Sequence, residues 1–286
     1  MDNMTAKVSC FARAYHCKNN SAHIFEDTAA EALLGVDYGK IAQSMTQGLG
    51  FFLPDFDGSP EEGLRLIVDR QLSPSVLGRS AFCEDELRRS GCGQYVIFAT
   101  GYDTFALRNT APTVFELDLP ELIADKKQRI SAAGLHTSAV FVPCDLADGA
   151  WQQALIGKGF DAAEKSFGSL LGISYYLTKA EFAALLHSVS DIMTPGSEIC
   201  FDFPCENGSE QTRTNRTLAA GAGEAMKAQY TLPELCALLA ACGFEIGKHL
   251  DHAAMTEQYF TNYNARTPQH SITAPIGVGY ILARKA

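Results

Sequence analysis

The sequence predicts a doubly wound α/β fold, a parallel sheet with helices on both faces, and three observations point to it. From residue 94 onward, apolar runs of strand length alternate with helical stretches. The first run, Tyr95 to Phe98, breaks at Ala99-Thr100-Gly101 into a short polar turn, and a second, Val114-Phe-Glu-Leu-Asp118, ends in acid just ahead of Pro120. In an open parallel sheet, ligands lie across the carboxyl ends of such strands. Gly101 therefore stands where a cofactor backbone can approach closely, and Asp118 where a ribose diol can be held.

The elements follow in chain order. Phe25 to Leu34 reads as a helix stopped by Gly35. Ser59-Pro60-Glu-Glu sets proline and acids at a helix N-terminus, as the helix dipole prefers, and that helix runs toward Leu72. A third helix begins near Gly78-Arg79 and ends at Gly91-Cys-Gly93. Residues 1–93 are thus expected to form a helical cap over the carboxyl edge of the sheet. Strands are expected at 95–99, 113–118, 139–143, 166–173 and 197–203, with helices near 103–109, 120–133, 148–157 and 178–193. Thr231-Leu-Pro-Glu opens a capped helix that stops at Gly243, and apolar pieces at 244–250 and 276–283 complete the sheet. The polar stretch Glu206 to Arg216 has the composition of a binding loop, so a lid is expected near 204–230. No repeat or linker divides the chain, and residues 1–286 are expected to form one domain, a cap followed by a core at 94–286.

Composition bounds the function. Of the 286 residues 47% are hydrophobic, ample for a large core. The net charge of −10 argues against nucleic-acid binding by phosphate neutralisation and against adsorption to an anionic membrane. No apolar stretch approaches a membrane span and no basic-then-apolar leader opens the chain, so a cytoplasmic location is expected. The nine cysteines form no Cys-x-x-Cys pair and suggest neither a disulfide framework nor a metal site. Cys205, after a strand end, is carried as a candidate pocket residue.

A dinucleotide fingerprint requires G-x-G-x-x-G so that a helix N-terminus can face a pyrophosphate. The equivalent turn here is Ala99-Thr-Gly-Tyr-Asp-Thr104, without the later glycines. That favours a nucleoside cofactor lacking a diphosphate, such as S-adenosyl-L-methionine. On the residues alone, a nucleotide-dependent oxidoreductase and a catalytically silent nucleoside-binding protein stay open.

Five motifs occur in order: Phe98-Ala-Thr-Gly-Tyr-Asp-Thr104, Glu116-Leu-Asp-Leu-Pro120, Lys126, Asp145-Leu146 and Tyr176-Leu177. In these the chain resembles the leucine carboxyl methyltransferase-like family of class I S-adenosylmethionine-dependent methyltransferases, and the likeness extends from Phe11-Ala-Arg-Ala to the final Gly279-Tyr-Ile-Leu-Ala. The resemblance implies a Rossmann-like, mostly parallel seven-stranded sheet whose last strand inserts antiparallel. It also implies that Arg79 meets the donor's methionine carboxylate, that Ala99, Gly101 and Asp103 form the turn against the donor, and that Asp118 takes the ribose. Asp145 and Leu146 are assigned to the adenine edge, and Tyr176 to the place where donor and acceptor meet. Family members methylate a protein's C-terminal carboxylate or acidic polyketide-type metabolites, which implies an oxygen acceptor, a carboxylate of a small molecule or peptide. Arg213 and Arg216, in the polar stretch, are the candidates to attract that anion. The chain departs from the pattern twice. The first motif glycine is Ala99, expected to be accommodated at negative φ, and the usual acid before Gly172 is Leu171.

Overall fold

The computed structural model describes residues 3–205 and 226–286; Arg213, Arg216 and most of the stretch read as a lid lie outside them. The strands are β1 (Gln94–Phe98), β2 (Thr113–Asp118), β3 (Val140–Pro143), β4 (Ser166–Leu170), β5 (Glu198–Pro204), β6 (Phe244–Leu250) and β7 (Val278–Lys285). They form one seven-stranded sheet in the order β3-β2-β1-β4-β5-β7-β6. The first five pair in parallel, and β7 lies antiparallel between β5 and β6. The reversal of strand order between β1 and β4 opens a crevice at their carboxyl ends. β1, β4 and β5 are buried along their whole length, and in β1 this shows as the apolar run Tyr95 to Phe98.

Helices cover both faces. On one side Phe98, Trp151, Phe182 and Phe201 share a core with the helix Lys179–Asp191, and on the other Phe82, Tyr95, Phe167 and Tyr280 pack together. The helix Pro120–Ala132 starts on proline, as expected, and buries Leu122, Ile123, Lys126 and Ile130 at helical spacing. Thr178 with Glu181, and Thr231 with Glu234, close reciprocal capping boxes on the helices they open. Among the described residues no helix is long and apolar enough to cross a membrane.

The secondary structure differs from expectation chiefly in three places. Helix α1 (Met4–Asn19) begins on the Asn3 side chain, whereas the expected helix from Phe25 shrinks to α2 (Ala30–Leu34), followed by α3 (Val36–Gln47) and α4 (Leu49–Phe52). The reason is Asp27: its carboxylate accepts the amides of Ala29 and Ala30, which makes the preceding residues a turn rather than a helix. The helices expected on either side of residues 73–77 are continuous, α5 (Pro60–Ile67) passing through a π-helical turn (Val68–Leu72) into α6 (Ser73–Ser90). Pro74 is tolerated because it stands in the first turn of α6, where the widened turn before it removes the demand for a regular amide bond. The strand expected at 166–173 ends at Leu170, because Gly172 turns the chain at φ +70°.

His16 is sealed inside the cap, 1% exposed, and its Nε2 accepts the Ile24 amide at 3.0 Å. Burial, with His23 and Arg65 nearby, lowers its pKa from 6.5 to about 3. Between those values the unfolded chain binds a proton that the folded chain refuses, so the contribution of His16 to stability is lost as pH falls below 6.5. The slope is at most about 1.4 kcal/mol per pH unit. His16→Gln removes this dependence, so the melting-temperature gap between wild type and variant is expected to narrow from pH 7 to pH 5. A constant gap would mean that His16 takes its proton in the folded chain.

Candidate active site

A cavity of about 590 Å³ lies at the carboxyl ends of β1, β2 and β4 beneath α1 and the helix running from Pro60 to Ser90. Its size falls in the range of small-molecule sites. The turn after β1 forms one wall. The ladder to β2 resumes at Thr100, whose amide donates to the Leu117 carbonyl at 2.9 Å, so position 99 takes the kink. Ala99 accordingly sits at φ +49°, not the negative φ expected of it. Gly101 follows at φ +51°, and its amide donates to Asp118 Oδ2 at 2.7 Å. The Leu119 amide donates to the other carboxylate oxygen at 2.8 Å. Burial raises the Asp118 pKa, while these two amides pull it down. A carboxylate offers about four acceptor positions, so roughly two at Asp118 stay uncommitted where it borders the cavity.

The turn is held from both sides. Behind it, Lys126 Nζ donates to Glu116 Oε2 at 2.5 Å and to Thr100 Oγ1 at 3.0 Å, with the Lys126 and Glu116 side chains 0% and 1% exposed. In front, Arg13 from α1 donates to Asp27 Oδ2 at 2.8 Å and to the Tyr102 carbonyl at 2.7 Å. Thr104 Oγ1 donates to the same Asp27 oxygen at 2.7 Å. A Cβ on Gly101 would stand 3.2 Å from Ala6 Cβ, so α1 lies directly on the turn.

Behind the opposite wall, which includes Arg79, Gly172 and Tyr175, lies Asp202 of β5, fully buried. Its Oδ1 accepts the Gly172 amide at 2.7 Å, and its Oδ2 accepts the Tyr175 hydroxyl at 2.9 Å and Arg79 Nη1 at 3.3 Å. Arg79 leaves no room for a side chain at 172, where a Cβ would lie 2.8 Å from Nη1. Burial and then the Asp202 charge push the Tyr175 pKa well up, so Tyr175 stays a phenol.

Of the residues singled out in the sequence, Arg79, Ala99, Gly101, Asp103, Asp118, Leu171 and Tyr176 all border this cavity, and Tyr175 borders it beside them. Asp145 and Leu146 do not. Asp145 is exposed and caps the Ala147 amide, while Leu146 packs against the core. They nevertheless follow Cys144, whose amide donates to the Asp118 carbonyl at 2.8 Å. Cys205 also lies off the cavity, packed against the core. Arg13 and Asp202 were not singled out. Asp202 carried the same signal as Asp118, an acid at the end of an apolar strand.

A sequence model of the leucine carboxyl methyltransferase family matches residues 6–190. The chain belongs to the leucine carboxyl methyltransferase family. Bacillus subtilis YktD, named as an S-adenosyl-L-methionine-dependent methyltransferase, is 33% identical over 91% of each chain. A Mycobacterium avium protein named for the same activity is 30% identical over 54% of this chain and 55% of its own. In fold, this member of the family matches a DUF574-family protein from Streptomyces avermitilis with a TM-score of 0.61 at 11% identity, covering 99% of this chain and 97% of that one. A Thermobifida fusca protein assigned as a methyltransferase matches at 0.58 with 13% identity, covering 98% and 94%.

Positive φ at a residue with a Cβ costs about 1–2 kcal/mol, partly offset by the backbone entropy that glycine loses on folding. Ala99→Gly, which restores the family's glycine, is expected to raise the melting temperature by about 1–3 °C in calorimetry. A lower melting temperature would show that Ala99 is unstrained.

Proposed function

We propose that this chain transfers a methyl group from S-adenosylmethionine to an oxygen, that of a carboxylate on a small molecule or a peptide C-terminus, in the cytoplasm. Methyl transfer from S-adenosylmethionine follows from membership of the family and from the named activity of YktD. The observation that carries the donor site is the Gly101–Asp118 contact, which puts a side-chain-free backbone and a half-committed carboxylate side by side on the cavity wall. A ribose diol matches those uncommitted acceptor positions. Gly101, with Ala99 and Asp103 in the same turn, gives the close backbone approach, and Arg79 offers its remaining donors to the methionine carboxylate. Asp145 and Leu146 are assigned to the adenine edge on the family pattern, next to Asp118 but off the cavity wall.

The donor supplies a methyl group already activated by its sulfonium. The protein's part is alignment and exclusion of water, and the apolar cap over the turn serves both. A carboxylate acceptor is anionic at neutral pH and needs no proton removed. That suits a wall on which burial holds Tyr102 and Tyr175 as phenols. Tyr176 stands where the acceptor would enter, and Arg213 and Arg216 are retained as the charges that draw it in.

Two experiments test this reading. Asp118→Ala should weaken S-adenosylhomocysteine binding by about ten- to a hundredfold, and should lower stability by about 1–3 kcal/mol because the Gly101 and Leu119 amides lose their acceptor. Wild-type affinity in the variant would remove Asp118 from the donor site. In a methyl-transfer assay the rate should be flat from about pH 6 to 8.5, where a carboxylate stays ionised, and the product should release methanol in mild base. A base-stable product, formed at a rate that climbs with pH through a single group, would point to a hydroxyl acceptor.

A further inference from the structure

The two ends of the cavity differ in chemistry. The sheet end presents Arg79, Gly101 and Asp118, and the cap end Met45, Phe52, Ile67 and Leu72. Gln71 stands among the latter, and its Oε1 is shut off from water without a hydrogen-bond partner among the described residues. A buried carbonyl oxygen with no donor is disfavoured, and a turn of the Gln71 amide toward the cavity, where a ligand supplies the donor, relieves it.

Gln71 belongs to the π-helical turn, in which the Ser73 amide donates to the Val68 carbonyl five residues back. Such turns are rare and occur often at functional sites. Here the turn has a geometric effect. Ile67, Gln71, Ser75 and Arg79 all border the cavity at steps of four residues, whereas an uninterrupted α-helix drifts by about 40° at each such step. The wider turn offsets the drift and sets Gln71 and Arg79 along one wall, eight residues and about 12 Å apart.

We propose that Gln71 recognises the far end of the acceptor, and that the acceptor is an amphiphilic acid. Its apolar body lies along Met45, Phe52 and Leu72, its hydroxyl meets the Gln71 amide, and its carboxylate lies at the donor end. The proposal rests on the methyl-transfer reading above.

The test is calorimetric titration of the S-adenosylhomocysteine-saturated protein with decanoate and with ω-hydroxydecanoate. The hydroxyl should tighten binding about five- to tenfold in the wild type, and by less than about twofold in Gln71→Leu, which keeps the side chain's bulk without its amide. S-adenosylhomocysteine affinity should be the same in both proteins. Equal affinity of the wild type for the two acids, binding of neither, or a hydroxyl gain that survives in Gln71→Leu would each overturn the proposal. Should Gln71→Leu fail to fold, Gln71→Met, which also keeps the bulk without the amide, serves as the second variant. Failure of S-adenosylhomocysteine itself to bind would overturn the methyl-transfer reading, whereas donor binding without hydroxyl discrimination would overturn this proposal alone.

Discussion

The hydrogen bond from the Gly101 amide to the Asp118 carboxylate is the contact on which the site depends. It forms because β1 and β2 are parallel neighbours in a register that pairs Phe98 with Leu117, which brings the turn after one strand against the acid that ends the other. A buried carboxylate is costly unless its oxygens are satisfied, and here two backbone amides satisfy part of it while the cavity side stays available for a ligand. The Lys126–Glu116 pair adds rigidity rather than obvious stability. Buried ion pairs often contribute little net free energy, but this one also binds the Thr100 hydroxyl and so fixes where the turn sits.

The cap and the sheet are joined by charge as well as by apolar packing. Asp27 collects Arg13 and Thr104, and Arg108 lies against it at 3.4 Å, so α1 and the turn after β1 share one acid. Asp202 does the same on the other wall, joining α6 through Arg79 to the loop after β4. Both acids are buried, so the cap is tied to the sheet on two sides of the cavity.

Much of this was legible in the sequence, for physical reasons. Gly101 and Asp118 could be read because each lies at the end of an apolar run, and the parallel pairing of the first five strands follows from the alternation of strand and helix. Asp27, Arg13 and Asp202 could not be assigned roles, since their partners are distant in the chain; Arg13 and Tyr102 are 89 residues apart. The π-helical turn leaves no signature in Val68-Asp-Arg-Gln-Leu72, and Pro74 makes a helix break the natural expectation there. Ala99 misled because alanine rarely takes positive φ, and only the hydrogen bond from Thr100 to Leu117 reveals the kink.

Under the proposed function, the turn after β1 holds a nucleoside with an amino-acid tail and not a dinucleotide. Calorimetric titration of the unmodified chain with S-adenosylhomocysteine, and separately with NAD, tests it most directly. Micromolar affinity for the sulfur nucleoside, about −8 kcal/mol, and no measurable heat with NAD are expected. Saturable binding of NAD, or no heat with S-adenosylhomocysteine at millimolar concentration, would contradict it.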